Sequence, residues 1–84
     1  MSDQPFTNKQ GQYLAFIYAY TEINGRPPSE VDMQRYFRVS PPTVHQMVKK
    51  LHASGMVDRT PRKARTLEIQ IDPSKLPLLR RPRA

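Results

Sequence analysis

The sequence contains no cysteine among its 84 residues. This absence excludes a disulfide framework, a zinc finger with cysteine ligands and a thiol nucleophile, and it fits a reducing compartment. No apolar stretch approaches the roughly 20 residues of a membrane span, and the opening Met-Ser-Asp-Gln-Pro lacks the basic and apolar parts of a secretory signal. We therefore expect a soluble, cytoplasmic protein, and a chain of this length allows one small domain.

Acidic residues are also scarce, since 7 Asp and Glu face 14 Lys and Arg. Residues 1–40 carry four cations and four anions, so the whole net charge of +7 lies in residues 41–84. Such an asymmetry predicts that the second half meets a polyanion, and nucleic acid is favoured over a membrane surface.

A first helix is predicted to begin at about Asn8. Thr7 and Gln10 have the spacing of a capping box, and Asn24-Gly25 supplies an end. Between these limits one wide apolar face is predicted, formed by Leu14, Ile17, Tyr18 and Thr21 and flanked by Tyr13, Phe16 and Tyr20. These aromatic residues are interpreted as core rather than as a ligand site.

Two shorter helices follow an extended connector at Pro27-Pro28. Ser29 and Asp32 repeat the capping pattern for the second helix, which should end near Arg38. Ser40 is predicted to cap the third, with Pro41 at its first position. The buried sides are predicted to be Val31, Met33, Tyr36 and Phe37 in the second helix and Val44, Met47, Val48 and Leu51 in the third, which closes at Ser54-Gly55.

From Met56 onward the period changes to that of β-strands. Residues 56–59 and 65–71 alternate in polarity, and Leu67, Ile69 and Ile71 share one face. They predict a hairpin whose linking segment, residues 60–64, carries two adjacent cations. The predicted organisation is an N-terminal arm (residues 1–6), a folded domain (7–72) and a basic, proline-rich tail (73–84) that is either mobile or laid over the surface.

Three short helices and a basic hairpin describe a mainly α fold with a two-stranded antiparallel wing, the winged helix-turn-helix. Residues 7–71 also resemble the N-terminal DNA-binding domain of the LexA repressor family. The matching residues are Thr7, Gln10, Leu14-Ala15-Phe16-Ile17, Tyr20, Asn24-Gly25, Pro27-Pro28-Ser29, Ser40-Pro41, Thr43-Val44-His45, Leu51, Gly55-Met56-Val57, Arg59 and Ala64-Arg65-Thr66-Leu67-Glu68-Ile69. The resemblance implies a sequence-specific binder of double-stranded DNA, acting as a small transcriptional repressor or regulator on paired half-sites.

The chain departs from this family in two places. Arg38 stands where the family usually has glycine in the turn before the third helix, and a bulky residue is unfavourable at positive φ. We therefore expect this turn to take a different path. The family's C-terminal domain, with its self-cleaving Ser-Lys dyad and dimer contacts, has no counterpart in 84 residues. Self-cleavage accordingly does not carry over, and a homodimer would need contacts from elsewhere.

The polar face of the third helix is the predicted reading surface. With the apolar residues inward, Pro42, His45, Gln46 and Lys49 point outward beside Thr43. The resemblance places the base-reading positions on Pro42, His45 and Gln46. A glutamine side chain can form two hydrogen bonds with N6 and N7 of adenine, and a lysine can donate a hydrogen bond to guanine or to a phosphate.

The DNA backbone is predicted to be contacted by residues around that face and in the wing. The set is Ser40, Lys50, Arg59, Arg62, Lys63 and Arg65. Cations on a short hairpin can follow phosphates or enter a narrow minor groove. Arg80, Arg81 and Arg83 of the tail either add nonspecific phosphate attraction or do nothing.

Two other functions are compatible with this fold class. A winged helix can instead be a protein-interaction module, here through Tyr13, Tyr18, Tyr20 or the segment 76–79, or a nonspecific nucleic-acid-binding accessory protein. His45 and His52 lie seven residues apart, roughly 10 Å along a helix, which is too far to share one metal ion. With no acidic pair beside a nucleophile, the sequence predicts no enzyme, no cofactor or metal, and no small-molecule substrate.

Overall fold

A computed structural model describes residues 5–82 of the chain. Most of the predicted N-terminal arm (residues 1–4) and Arg83 of the tail lie outside the described residues. Helices α1 (Asn8–Asn24), α2 (Glu30–Phe37) and α3 (Pro41–Ala53) precede strands β1 (Val57–Asp58) and β2 (Glu68–Ile69) and a short 3-10 turn at Pro73–Lys75. The predicted winged helix-turn-helix is confirmed. In this part of the chain no helix is long and apolar enough to cross a membrane.

The predicted capping boxes are both present. The amide N–H of Gln10 donates to Thr7 Oγ1 at 3.1 Å, and the Gln10 side chain accepts from the Thr7 amide at 2.9 Å. Ser29 and Asp32 exchange the same pair of hydrogen bonds at 3.1 and 2.9 Å. Each box satisfies amide donors that a helix leaves free at its start, which is why these two boundaries were predictable from local sequence.

The predicted cap at Ser40 does not form. Its hydroxyl lies 2.9 Å from the Thr43 hydroxyl and makes no hydrogen bond to the helix backbone. Pro41 and Pro42 have no N–H to cap, and the amide of Thr43 already donates to the Ser40 carbonyl oxygen at 3.1 Å. Both hydroxyls therefore stay at the exposed start of α3.

The core surrounds the middle of α1. Residues 13–17 of this helix are all buried, because Phe37 of α2 stacks on Tyr13 with ring centroids 4.1 Å apart and β2 contacts α1. The remaining buried core residues are Phe6, Met33, Val44, Val48, Leu51, Met56, Val57 and Leu67. The wide apolar face predicted for α1 was centred on the wrong residues, since Tyr13, predicted at its flank, is buried, whereas Tyr18, predicted on the face itself, is 37% exposed.

Val31 was wrongly predicted to lie on the buried side of α2. Its side chain is 48% exposed, whereas Met33 is fully buried. Two residues apart on a helix point about 200° away from each other, so these two side chains cannot both face inward.

The turn between α2 and α3 follows the left-handed conformation despite its bulky residue. Arg38 has φ 57° and ψ 49°, and the amide of Val39 donates to the Gln34 carbonyl oxygen at 3.2 Å. The expectation of a different path was wrong. The hydrogen bonds that end α2 require this conformation, and packing of α2 on α3 holds it at the expense of backbone strain.

This strain predicts a gain in stability for Arg38→Gly. A left-handed residue with a Cβ costs about 1–2 kcal/mol, and glycine loses about 0.5–1 kcal/mol more on folding, so a net gain of up to about 1.5 kcal/mol is expected. Thermal unfolding should show a midpoint several degrees higher. Arg38→Ala, which removes the same charge but keeps the Cβ, is the control, and an equal gain in that variant would contradict a backbone cause.

The paired part of the wing is shorter than predicted. Within residues 5–82, Val57 pairs with Ile69 and Asp58 pairs with Glu68 in antiparallel register, whereas the predicted strands were residues 56–59 and 65–71. Arg65, the first residue of the second predicted strand, has a φ of 59°, which does not fit extended backbone. The predicted inward face is correct, because Leu67 is buried and Ile69 and Ile71 are half-buried.

The tail lies over the surface of α1 and α2 as far as residue 82. Leu76 and Leu79 pack against the core, which was one of the two predicted alternatives. Leu76 and Leu79 are thus covered by their own chain, and Leu78 is the leucine of this segment that stays exposed, at 84%.

Candidate nucleic-acid interface

Helix α3 separates into an apolar side and a polar side. Val44, Val48 and Leu51 are buried against the core, and Met47 is half-buried. The five predicted base-reading residues, Pro42, Thr43, His45, Gln46 and Lys49, are all exposed. Ser40 and Lys50, at the margins of this face, are exposed as well. The structure thus brings together seven of the predicted site residues on one continuous surface.

An acidic residue that the sequence did not point to lies beside this surface. The carboxylate Oε1 of Glu30 is 3.5 Å from Nδ1 of His45. Glu30 is the first residue of α2, where a negative charge is favoured by the helix dipole. Only the packing of α2 on α3 shows that this carboxylate lies beside the predicted reading face, where it adds a negative charge next to His45.

The tip of the wing presents two exposed cations on a fixed loop. Arg62 and Lys63 are both exposed. The amide of Lys63 donates to the Thr60 carbonyl oxygen at 3.2 Å, and the amide of Thr60 donates to Thr66 Oγ1 at 2.8 Å. Thr66 therefore closes the loop through its side chain, and the tip keeps a defined shape without a longer strand ladder.

Arg59 is placed differently from the cations at the tip. It is half-buried on a cleft between the wing and α2, and its Nε atom is buried with no hydrogen-bond partner among residues 5–82. The unpartnered Nε donor is thus enclosed by the protein and does not face an external partner.

Arg65, predicted to contact the DNA backbone from the wing, is hydrogen-bonded to groups of its own chain, although its side chain stays 32% exposed. Its Nη1 donates to Asp32 Oδ2 at 2.9 Å, to the Tyr20 hydroxyl at 3.1 Å and to the Pro27 carbonyl oxygen at 3.4 Å. The left-handed backbone of Arg65 turns the side chain toward α1 and α2 rather than along the strand. This residue ties the base of the wing to the helices.

Asp32 is the centre of this network. The Ser29 amide that donates to the carboxylate lowers the pKa of Asp32, and the Arg65 guanidinium lowers that pKa further. One carboxylate thus both caps α2 and anchors the wing. Sequence reasoning found the first role from the Ser29-x-x-Asp32 spacing but had no local signal for the second.

The two histidines of α3 do not meet at a common site. His45 faces Glu30, while His52 Nε2 lies 3.9 Å from Asp58 Oδ1 of β1. Within residues 5–82 no group of three or more His, Cys, Asp or Glu side chains could hold a metal ion.

The amino-acid sequence is similar to those of known repressors. The chain is 33% identical over 63 residues to the LexA repressor of Thermosipho africanus, which covers 75% of this chain and 32% of the relative. It is 31% identical over 77 residues to the LexA repressor of Magnetococcus marinus (90% and 33%) and 38% identical over 64 residues to that of Clostridium perfringens (75% and 32%). The chain thus spans about a third of the length of these relatives.

A family model described as the iron dependent repressor, N-terminal DNA binding domain, matches residues 5–65. This match runs from the residues before α1 to the loop of the wing, and therefore includes all of α2 and α3. The chain belongs to this family of repressor DNA-binding domains.

Proposed function

We propose that this protein is a small LexA-like repressor that binds double-stranded DNA sequence-specifically with α3 in the major groove. The observation that carries the proposal is the exposed polar face of α3 next to the cationic wing, in a chain that belongs to a family of repressor DNA-binding domains. The LexA repressors with which it aligns support the narrower assignment.

The residues divide by the part of DNA that they contact. Pro42, Thr43, His45, Gln46 and Lys49 face the base edges, because the N-terminal part of a recognition helix lies deepest in the groove. Ser40, Lys50, Arg59, Arg62 and Lys63 contact phosphates. Arg65 is left out of the second set because its guanidinium is already bound to Asp32.

The negative charge of Glu30 affects how the proposed reading face binds DNA. Its carboxylate lies 3.5 Å from His45 Nδ1, and this negative charge lowers the attraction of the reading face for any phosphate nearby. We assign Glu30 a role in selectivity, since a local negative charge disfavours contacts that are only electrostatic.

The family's name includes iron, but residues 5–82 do not fit an iron site. The acidic residues near α3, Glu30 and Asp58, each face a different histidine and form no cluster of three ligands. We therefore derive no step in DNA binding through a metal ion.

Two copies are proposed to bind one operator. A module of this size buries roughly 600–1,000 Å² on DNA and reads few base pairs, so a single copy discriminates poorly. The two half-sites would be centred about one helical turn apart. Of the residues named above as a surface for protein interaction, Tyr13 is buried and Leu76 and Leu79 pack on their own chain, whereas Tyr18 and Leu78 are exposed and are proposed as the dimer contacts.

Selection from a random duplex library, followed by a stoichiometric titration, tests this function. A recovered consensus with two inverted half-sites that saturates at two protomers supports the proposal. Failure to enrich any duplex would contradict DNA recognition and favour the protein-interaction module. A single protomer on an asymmetric site would contradict the dimer alone.

The wing gives a second test on the selected duplex. Replacing Arg62 and Lys63 together by alanine should reduce the slope of log K against log salt by about 0.9 for each phosphate that the wing no longer neutralises. Both side chains are exposed, so the thermal unfolding midpoint should stay nearly unchanged. An unaltered slope would show that the wing tip does not touch DNA.

A further inference from the structure

We propose that the segment 76–82, here called the tail arm, is a second DNA-backbone contact, which places Arg80 and Arg81 beside Lys9 at the N-terminal end of α3. The proposal rests on the proposed function, because it requires α3 to lie in the major groove. The tail would then contact particular phosphates of the site, rather than attract DNA nonspecifically through its positive charge.

The tail arm is held by hydrogen bonds to its backbone. Gln12 of α1 uses both ends of its amide, since Nε2 donates to the Leu78 carbonyl oxygen at 2.9 Å and Oε1 accepts from the Arg80 amide at 2.8 Å. The Tyr36 hydroxyl of α2 donates to the Arg80 carbonyl oxygen at 3.0 Å. Three bonds from two helices thus fix residues 78–80, and Leu79 packs against the core between them.

Gly11 makes room for this docking. A Cβ at this position would lie 2.9 Å from Cε1 of Phe6 and 3.1 Å from Cγ of Pro77. Glycine inside a helix costs about 1 kcal/mol relative to alanine. The helix contains this glycine where Phe6 and Pro77 of the tail arm approach its backbone, which indicates that the docked tail belongs to the folded domain.

The docked tail forms one wall of a cationic cleft of about 590 Å³. Its lining includes the aromatic residues Phe6, Tyr13 and Phe37 and the cations Lys9, Arg80 and Arg81, and among residues 5–82 no carboxylate lines it. None of these three cations pairs with an acidic side chain in the described part of the chain. Unpaired cations that converge without a counter-charge favour an anionic partner.

The position of the cleft identifies that anion as a DNA phosphate. Thr43, in the first turn of α3 and on the proposed reading face, lines the cleft together with Val39 of the preceding turn. A duplex that receives α3 must therefore pass its backbone close to this rim. Arg80 and Arg81 are both exposed and can reach a phosphate without displacing other partners.

The tail arm and the wing lie at opposite ends of α2. The wing loop lines a cleft with Pro28 to Val31 at the start of α2, whereas the tail arm lines one with Phe37 at its end. Eight residues of helix span about 12 Å, so the two cationic groups lie in separate places, one near each end of α2. The sequence shows both as basic segments, but only the fold separates them into two contacts.

The test compares variants of the full chain on one selected duplex. Arg80→Ala with Arg81→Ala removes the charge, Gln12→Ala releases the arm without changing any charge, and Lys75→Ala is the matched control because Lys75 lies outside the cleft. The measurements are the salt dependence of binding and ethylation interference at individual phosphates. Thermal unfolding verifies that each variant is folded.

The double variant should lower the magnitude of the slope of log K against log salt by about 0.9 for each phosphate that the arm no longer neutralises, up to about 1.8. In the ethylation experiment, the double variant should lose the interference that the wild type shows at phosphates on the side of the site away from the wing. Gln12→Ala should abolish interference at the same phosphates, while Lys75→Ala should match the wild type.

Two results would overturn the tail-arm proposal. One is a double variant that matches Lys75→Ala in both measurements. The other is saturation of the cleft by a small aromatic acid, benzoate being the probe, with no effect on phosphate interference, which would make the cleft a small-molecule site. If the wild type enriches no duplex at all, the proposed function fails. If the wild type binds a selected duplex and the tail variants bind it with the same salt dependence and phosphate interference, only the tail-arm proposal fails.

Discussion

Replacing Asp32 by alanine is expected to lower the free energy of unfolding by about 2 kcal/mol and the thermal midpoint by more than about 8 °C. The substitution removes the carboxylate that accepts from the Ser29 amide, and it leaves the Arg65 guanidinium without its anion beside Tyr20 and Pro27. The loss of a helix cap alone costs about 1 kcal/mol, and a charge-assisted hydrogen bond in a half-buried site adds to it.

The pH dependence of stability distinguishes the contribution of the Asp32 negative charge from that of its hydrogen-bonding oxygen. Because the folded pKa of Asp32 lies below its ordinary value, its ionised form stabilises the fold above the unfolded pKa of about 3.9, and that contribution is lost as pH falls through the folded pKa. Asp32→Asn retains an oxygen for the Ser29 amide but has no charge to titrate. The stability difference between wild type and this variant should therefore shrink in acid.

Arg65→Met completes a double-mutant cycle with Asp32→Asn. If the pair holds the wing on the helices, the double variant should lose less stability than the sum of the two single losses. Strictly additive losses would mean that Arg65 and Asp32 act independently despite the 2.9 Å distance between Nη1 and Oδ2. The result also bears on DNA binding, since a released wing would no longer present Arg62 and Lys63 in a fixed place.

Gln46→Ala is expected to weaken binding to the selected duplex by about 1–3 kcal/mol and to relax preference at one base pair. Gln46 is exposed on α3 and makes no hydrogen bond to another described side chain, so its amide is free for a base edge. Affinity for random DNA should change little, because phosphate contacts supply that part of the binding.

Lys50→Ala is the matched control for Gln46. It lies on the margin of the same helix face and should weaken selected and random duplexes by similar factors. If Gln46→Ala reduces affinity for both kinds of DNA equally, the reading face is misplaced and the proposed register of α3 in the groove is wrong.

Local sequence determined the elements of this fold. The boundaries of α1 and α2 followed from Thr7 with Gln10 and from Ser29 with Asp32, because a capping box is satisfied within four residues. The exposed face of α3 followed from helical periodicity, which already states which side chains share a side. The wing was recognisable from its period of two, although its paired part is shorter.

Only the tertiary structure determined which of the charged residues are exposed and which are bound to other groups of the protein. Arg62, Lys63 and Arg65 look equivalent in the sequence, yet two are exposed at a tip and the third is bound to an aspartate 33 residues away along the chain. Arg38 accepts a left-handed backbone that its side chain disfavours, because the end of α2 and the packing of α3 require it. The tail was predicted only as basic and proline-rich, whereas Gln12, 68 residues from Arg80, gives it a place beside α3. Contacts between distant residues arise only when the chain closes on its core, so composition and periodicity identify the cations but not their partners.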